Sequence, residues 1–294
     1  MCTVTIVPLV PEIGRRAGDP VPFRLVSSRD EQRTRAEAAP PERFDCGTRT
    51  GLYPVDGDAH GTWVGVNDAG LALNLLNLNL PAADAPPVPG THTRGAIIPR
   101  LLRWDRVDQA VVDVVAMDPG HQRPFRLVLV DGFERAVVRS DGQAITVVER
   151  GPHDGVFFAT SSGLGDHVVE GPRRATFDRL FGSLSGRLSG RFPGQLLDPL
   201  AGENLDASAG SVGHATAGSA DQAIAAQDEL HRQFDPDAPD VSISLDRSSA
   251  ITVSLTEVTV GDRRVKMVYR PGIPHVTDAP PITATLPLRE LTVG

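Results

Sequence analysis

Short apolar runs separated by turn residues dominate the chain and predict a mainly antiparallel β protein. Residues 1–8 and 22–27 have the composition of strands. Residues 61–66 and 71–77 are two further apolar runs, and the Asn-Asp-Ala-Gly sequence between them predicts a hairpin. Residues 32–60 are polar, contain several prolines and glycines, and are predicted to be loop.

The middle of the chain alternates helical and strand patterns. Thr91 or Thr93 can cap a helix that begins near Arg94. Four apolar residues then share one face of that helix: Ile97, Ile98, Leu101 and Leu102. Two Asp-Gly pairs, at 131–132 and 141–142, predict a three-stranded meander. The other predicted helices are 106–116, 172–184 and 220–234, and the other predicted strands are 125–130, 134–140, 143–149, 156–159, 241–245, 250–256 and 264–270.

Blocks of hairpins therefore alternate with pairs of helices. Such an order is typical of two packed antiparallel sheets with helices on their outer faces, a four-layer αββα sandwich in the α+β class. No linker divides the chain, so we expect a single domain over residues 1–294. Residues 185–219 are rich in Gly, Ser and Ala and are predicted to be a surface insertion.

Composition narrows the possible functions. The chain has 294 residues, 40% of them hydrophobic, and a formal net charge of −8, which argues against nucleic-acid binding. No apolar run approaches the roughly 20 residues of a membrane-spanning helix. Two cysteines and eight scattered histidines offer no recognisable metal-ligand spacing, so we expect neither a metal nor a resident cofactor. The sequence indicates no oligomeric state.

The start of the chain carries candidate chemistry. No basic segment precedes the first apolar run, so we expect a cytoplasmic protein rather than a secreted one. Aminopeptidases commonly remove Met1 when the second residue is small, which would give Cys2 a free α-amine beside its thiol. With pKa values of about 8 for the amine and about 8.5 for the thiol, the amine can accept the thiol proton near neutral pH. Cys2 is otherwise a small apolar residue.

Two polar residues lie where they could assist Cys2. Asp30 lies in a charged segment that follows the second predicted strand. It is either a solvated turn residue or, if the first two strands pair, a partner for the α-amine. Asn77 lies in an apolar strand and is either a structural hydrogen-bonding residue or a donor to an oxyanion. Ser161 lies in a weak match to a serine-hydrolase nucleophile turn, but the sequence after it predicts loop instead of the required helix.

Several motifs together resemble one known family. They are Met1-Cys2-Thr3, Ser28-Arg29-Asp30-Glu31 in place of Asn-Arg-Asp-Glu, Gly61–Val66 followed by Gly70-Leu71, Thr93-Arg94-Gly95, and the late segment 246–254. In this order they resemble the NRDE family, also called the Transport and Golgi organisation 2 family. That resemblance implies the fold of N-terminal-nucleophile hydrolases, similar to the branch of choloylglycine hydrolases and penicillin V acylase, which cleave linear amides.

By this resemblance the catalytic residues are Cys2 as nucleophile, Asp30 beside its amine, and Asn77 as oxyanion donor. It also implies substrate contacts from Ser28, Arg29, Ser162 and Arg247. Ser27 stands where that branch has an arginine, and Ser161 or Ser162 stands where it has a later asparagine. Specificity for bile salts or penicillins therefore does not follow.

Two functions are open at this point. The first is an amidohydrolase or acyltransferase in which Cys2 attacks a small amide or acyl substrate. The second is a non-enzymatic carrier or chaperone for haem or an acyl lipid on the same scaffold, because the family is linked to haem mobilisation and to lipid or acyl-CoA metabolism. Haem would then be a ligand, and the partner in either case is a small molecule.

Overall fold

A computed structural model describes residues 2–9, 18–80, 92–185 and 217–289. The strands are β1 (Cys2–Pro8), β2 (Phe23–Gln32), β3 (Ala39–Asp45), β4 (Thr50–Val55), β5 (Val64–Asn67), β6 (Ala72–Asn77), β7 (Phe125–Val130), β8 (Glu134–Ser140), β9 (Ile145–Pro152), β10 (Phe157–Thr160), β11 (Ala250–Val260), β12 (Arg264–Pro271) and β13 (Ile282–Pro287). The helices are α1 (Ile97–Leu101), α2 (Val107–Val115), α3 (Asp166–Ser185) and α4 (Ala217–Arg232), with 3-10 turns at Arg94–Ala96 and Pro119–His121.

These strands form two antiparallel sheets. The first has the order β10-β1-β2-β11-β12-β13 and the second the order β3-β4-β5-β6-β7-β8-β9. One apolar cluster lies between the sheets, a second joins the outer face of the seven-stranded sheet to α1 and α2, and a third joins the six-stranded sheet to α3 and α4. The predicted four-layer αββα sandwich is confirmed.

The hairpin turns follow from local chemistry. Gly70, Gly132 and Gly142 adopt φ values of +85°, +81° and +90°, a region that glycine enters without steric cost. Asp131 accepts hydrogen bonds through Oδ1 from the backbone N–H groups of Phe133 and Glu134, which closes the β7–β8 turn. The hairpins predicted at these positions are confirmed.

Three local predictions were wrong. Residues 32–60 contain β3 and β4 rather than only loop. Pro40 and Pro41 are compatible with a strand there because β3 is an edge of its sheet, where the missing N–H groups cost no ladder bonds. Residues 241–245 form no named strand, and helix α3 starts at Asp166, before the predicted 172. The predicted insertion at 185–219 lies outside the described residues except at its ends, which are helical.

Candidate active site

Cys2 begins a strand that is buried along its whole length. β1 pairs with β2 on one side and with β10 on the other, so it is an interior strand of the six-stranded sheet. Side chains alternate across it: Cys2 and Val4 contribute to the cluster between the sheets, whereas Thr3 and Thr5 hydrogen-bond on the helix-covered face. The Cys2 thiol therefore faces the inter-sheet space at the end of the sheet.

Asp30 lies directly beside this end of β1. In the β1–β2 register Cys2 pairs with Arg29, so Asp30 is the next residue along β2. Its Oδ1 accepts a hydrogen bond from Thr252 Oγ1 at 2.7 Å, and its Oδ2 lies 3.9 Å from Arg173 Nη2. Strand pairing thus brings Asp30 to the start of β1, as the pairing alternative predicts, and places its carboxylate on the helix-covered face.

Arg173, on α3, is hydrogen-bonded to several of the segments that surround Cys2. Its side chain is 1% exposed. Nη1 donates to the hydroxyls of Thr3 and Thr160, while Nε and Nη2 donate to the carbonyls of Val241 and Ser242. A fully buried guanidinium needs such partners because losing water costs several kcal/mol per ion. Arg173 therefore connects β1, β10 and the 241–242 segment to Asp30.

Burial controls the protonation of the site. It raises the pKa of the Cys2 thiol to about 11, although the positive chain terminus works in the opposite direction. Burial also raises the pKa of Asp30, against the opposing charges of Arg173 and the chain terminus. The thiol therefore carries its proton at neutral pH and needs a base close by before it can attack a carbonyl.

Ser161 contacts the Cys2 backbone. The Cys2 nitrogen donates to Ser161 Oγ at 3.2 Å, and the Ser161 nitrogen donates to the Cys2 carbonyl at 2.9 Å. Helix α3 begins only at Asp166, so Ser161 does not sit on an immediate strand-to-helix turn. Its hydroxyl instead accepts a hydrogen bond from the Cys2 nitrogen, the atom that becomes the α-amine when Met1 is removed.

Asn77 lies on the opposite sheet, as the last residue of β6. It pairs with Phe125, which belongs to the cluster under α1 and α2, and directly opposed residues share a face of the sheet. No hydrogen bond between Asn77 and Cys2 is present among the described residues. It is Asn74 whose side chain crosses the inter-sheet space, donating to Ser27 Oγ at 2.7 Å.

Ser28 and Ser162 are both engaged within the fold. The Ser28 hydroxyl bonds His231 Nδ1 at 2.7 Å on the helix-covered face, and the other ring nitrogen of His231 bonds Thr5 Oγ1. Ser162 is buried, its hydroxyl accepts from the Leu164 nitrogen, and its own nitrogen donates to Asp166.

Arg29 and Arg247 are the two charged residues of the predicted substrate contacts. Arg29 stacks over the Trp63 ring at 4.4 Å and forms an ion pair with Asp56. Arg247 is electrostatically coupled to Asp30, and its side chain, 11% exposed, lies 3.7 Å from Asp240. Arg29 therefore acts electrostatically on Cys2, and Arg247 acts on Asp30.

Three residues near Cys2 were missed by sequence reasoning: Arg173, Thr252 and Arg94. Arg94 is half-buried, donates to the Pro124 carbonyl at 2.8 Å and interacts electrostatically with Cys2. Arg94 belongs to the Thr93-Arg94-Gly95 motif, which the sequence does show. The structure explains the glycine of that motif, because Gly95 packs so closely against Gly61 that an added Cβ at either position would clash with backbone. Arg173 and Thr252 had no local signal.

Comparison with protein families identifies the chain. A model of the family "Transport and Golgi organisation 2" matches residues 13–169, just over half of the chain. The chain belongs to this family. The matched segment of this family member includes Asp30, Asn77 and Ser162, whereas Cys2, Arg173 and Arg247 lie outside it. The resemblance of the sequence to this family is thereby confirmed.

Two solved structures are similar in fold. One is a Caenorhabditis elegans ortholog of N-acylethanolamine-hydrolyzing acid amidase, 11% identical over 95% of each chain with a TM-score of 0.47. The other is a cysteine-to-alanine mutant of conjugated bile acid hydrolase from Clostridium perfringens, 12% identical over 97% of this chain and 92% of that one, with a TM-score of 0.46. Curated protein sequences give no significant match. The chemistry of this family member is therefore argued from its own residues.

Two features that bear on membranes and ligands are absent from the described residues. None of the described helices is long and apolar enough to cross a bilayer. Among the same residues, no group of three or more His, Cys, Asp or Glu side chains converges on a point where it could hold a metal ion.

Proposed function

We propose that this family member is an N-terminal-cysteine amidohydrolase or acyltransferase that acts on a small amide or acyl substrate. One observation carries the proposal: Cys2 starts an interior strand, and the neighbouring strand places Asp30 one residue beyond its pairing partner. Arg173 already faces this buried carboxylate, and an α-amine at Cys2 would add a second positive charge beside it.

The proposed reaction begins once Met1 has been removed. The α-amine takes the Cys2 thiol proton, and the sulfur forms a bond to the substrate carbonyl carbon. The ammonium then returns the proton to the leaving nitrogen as the carbon–nitrogen bond breaks, which releases an amine and leaves a thioester on Cys2. Water, deprotonated by the amine, attacks the thioester; the carbon–sulfur bond breaks, the thiol regains its proton and a carboxylic acid leaves.

The other residues have supporting roles in this proposal. Asp30 is a positioning residue that favours the charged form of the α-amine, and Ser161 Oγ accepts one of its hydrogen bonds. Asn77 stays our proposed oxyanion donor, with Arg94 as a cation close to the same space. Because Asn77 lies on the strand face away from Cys2, this role requires its side chain to reach around the end of β6.

The test is an intact mass spectrum before and after treatment with a thiol-reactive acyl probe. We expect loss of Met1 and addition of one acyl group, abolished in Cys2→Ala. Cys46→Ala is the matched control: Cys46 is the only other cysteine of the chain and is half-buried, and its removal leaves labelling unchanged. Retention of Met1, or labelling that disappears with Cys46 and persists without Cys2, contradicts the proposal.

A second candidate is a carrier for an acyl lipid or haem on the same scaffold. The observation that favours it is the desolvated thiol, whose pKa of about 11 leaves almost no thiolate at neutral pH without an activating amine. A carrier binds its ligand equally well in wild type and in Cys2→Ala. Haem titration followed by the Soret band separates the haem carrier from the acyl carrier.

A further inference from the structure

A cavity of about 290 Å³ opens one strand away from Cys2. It lies at the end of the six-stranded sheet, between β2, β11 and β12 and the connection that leads to β3. Its walls include Arg29 and Glu31, the two β2 residues that flank Asp30. Arg29 is also the residue that pairs with Cys2 between β1 and β2, so one wall of the cavity comes from the strand position directly opposite Cys2.

A β-bulge shapes the wall of this cavity. The β2–β11 register shifts between Thr252 and Ser254, which face Asp30 and Arg29 respectively, so Val253 is an additional residue at that point. Val253 lines the cavity, while Thr252 next to it holds Asp30. Bulges are frequent beside active sites because they redirect single side chains. Here one bulge both places Thr252 against the Asp30 carboxylate and places Val253 in the cavity wall.

The cations of the cavity already have carboxylate partners. Arg29 and Arg35 both pair with Asp56, and Arg33 pairs with Asp246. Glu31 lies 3.6 Å from the guanidinium groups of Arg29 and Arg35. No arginine of this cavity therefore offers an unopposed positive charge among the described residues, and an anionic ligand would compete with existing ion pairs.

The remaining walls are mainly apolar, with Ile251, Val253, Tyr269, Ile273 and two alanines of the connection, Ala36 and Ala38. The volume is just below the range of about 300–1,000 Å³ that is typical of small-molecule pockets, so only a small ligand group fits. We propose that this cavity binds the uncharged acyl chain of the substrate, so that the substrate class is a neutral amide of a short or medium linear fatty acid. The assignment rests on the proposed function, because it takes the Cys2 thiol as the point at which the carbonyl lies.

The test uses isothermal titration of the Cys2→Ala protein with octanamide and with octanoate, which share one chain and differ in charge. We expect octanamide to bind at least tenfold more tightly. Ala38→Phe fills the cavity from the half-buried side of the connection and weakens octanamide at least tenfold. Ala36→Phe adds the same ring at an exposed alanine of the same wall and also weakens octanamide binding. The conclusion then does not depend on whether a single variant folds.

Ala279→Phe is the matched control, since Ala279 is a half-buried alanine that lines a different cavity beside Pro280. It leaves octanamide binding unchanged. Two results would overturn the assignment. One is that octanoate binds as tightly as octanamide, and the other is that neither Ala38→Phe nor Ala36→Phe weakens octanamide binding. These binding results do not depend on turnover. If octanamide binds but no acyl probe labels Cys2, the proposed enzyme activity is refuted and the cavity remains a binding site. If the probe labels Cys2 but octanamide does not bind, only the cavity assignment is refuted.

Discussion

Helices α1 and α2 cover the seven-stranded sheet through aliphatic side chains, whereas α3 and α4 cover the six-stranded sheet near β1 through polar ones. The first interface joins Leu73, Leu75, Leu127 and Leu129 to the apolar face of α2. At the second, Arg173, Gln227 and His231 are all buried, and each hydrogen-bonds a threonine of β1. The apolar cluster between α3, α4 and the six-stranded sheet contains one residue of β1, Val7, and one buried residue of β10, Phe158.

The two interfaces contribute differently to the stability of the fold and to the positioning of β1. Aliphatic packing is non-directional and supplies most of the stabilising free energy per area buried. Buried hydrogen bonds add little net stability, but they demand one geometry, because a partner left unpaired costs about 1–3 kcal/mol. The polar interface thus fixes the strand that carries Cys2 in one register and orientation.

The largest effect is expected for Arg173→Met. This change leaves Asp30 without its buried cation and four acceptors without their donor. Unfolding in urea should show a loss of about 3–5 kcal/mol. Arg173→Lys keeps the charge and should lose less. A loss below about 1 kcal/mol for Arg173→Met would mean that the polar interface does not hold β1.

Leu129→Ala probes the aliphatic interface and should cost about 3 kcal/mol, through lost burial and the cavity it leaves. Labelling of Cys2 by the acyl probe, measured well below the unfolding midpoint, should keep its wild-type rate. Equal slowing of labelling by Leu129→Ala and Arg173→Lys would remove the distinction between the two interfaces.

Acid should weaken the polar interface through His231. Burial lowers the pKa of His231 to about 3, below the value of about 6.5 in an unfolded chain. Stability is therefore full above pH 6.5 and falls as the pH decreases toward 3, by roughly 1.4 kcal/mol per pH unit for this group. His231→Gln cannot take up the proton, so its urea midpoint should fall less between pH 6.5 and 4.5.

His153 serves as the comparison for that result. It is also buried with its pKa lowered to about 3, but it packs edge-on against Phe23 between the sheets. His153→Gln should flatten the pH dependence by a similar amount without altering Cys2 labelling. An unchanged acid profile in both variants would contradict the buried neutral state of the two histidines.

The smallest effect is expected at the surface. Arg150 and Glu134 form an ion pair at 2.7 Å between β8 and β9, and the Arg150 side chain is 42% exposed. Arg150→Ala should cost less than about 1 kcal/mol, because water and salt screen exposed pairs. A cost comparable to that of Leu129→Ala would show that the edge of the seven-stranded sheet depends on this pair.

Much of the fold was accessible from sequence because its signals are local. Hairpin turns and helix starts each depend on a few neighbouring residues. The hairpins at the Asp-Gly pairs were predicted correctly, and Thr93, one of the two threonines proposed as a cap, caps the turn that begins at Arg94. The strands around Pro40 and Pro41 were missed because prolines forbid an interior strand and only the sheet order reveals an edge. Part of the candidate site was equally accessible: Asp30 reaches Cys2 through the pairing of the first two strands.

The family, the pair of antiparallel sheets with outer helices, and the cysteine at the start of a buried strand all follow from the sequence alone. Only the tertiary structure decided that Arg173 and Thr252 hold Asp30, that Ser161 meets the Cys2 nitrogen, and that a charge-compensated cavity opens beside them. The physical reason is that turn chemistry and hydrophobic period act over a few residues. The partners of a buried polar group are chosen across the whole chain, by whichever strand or helix the packing brings within about 3 Å.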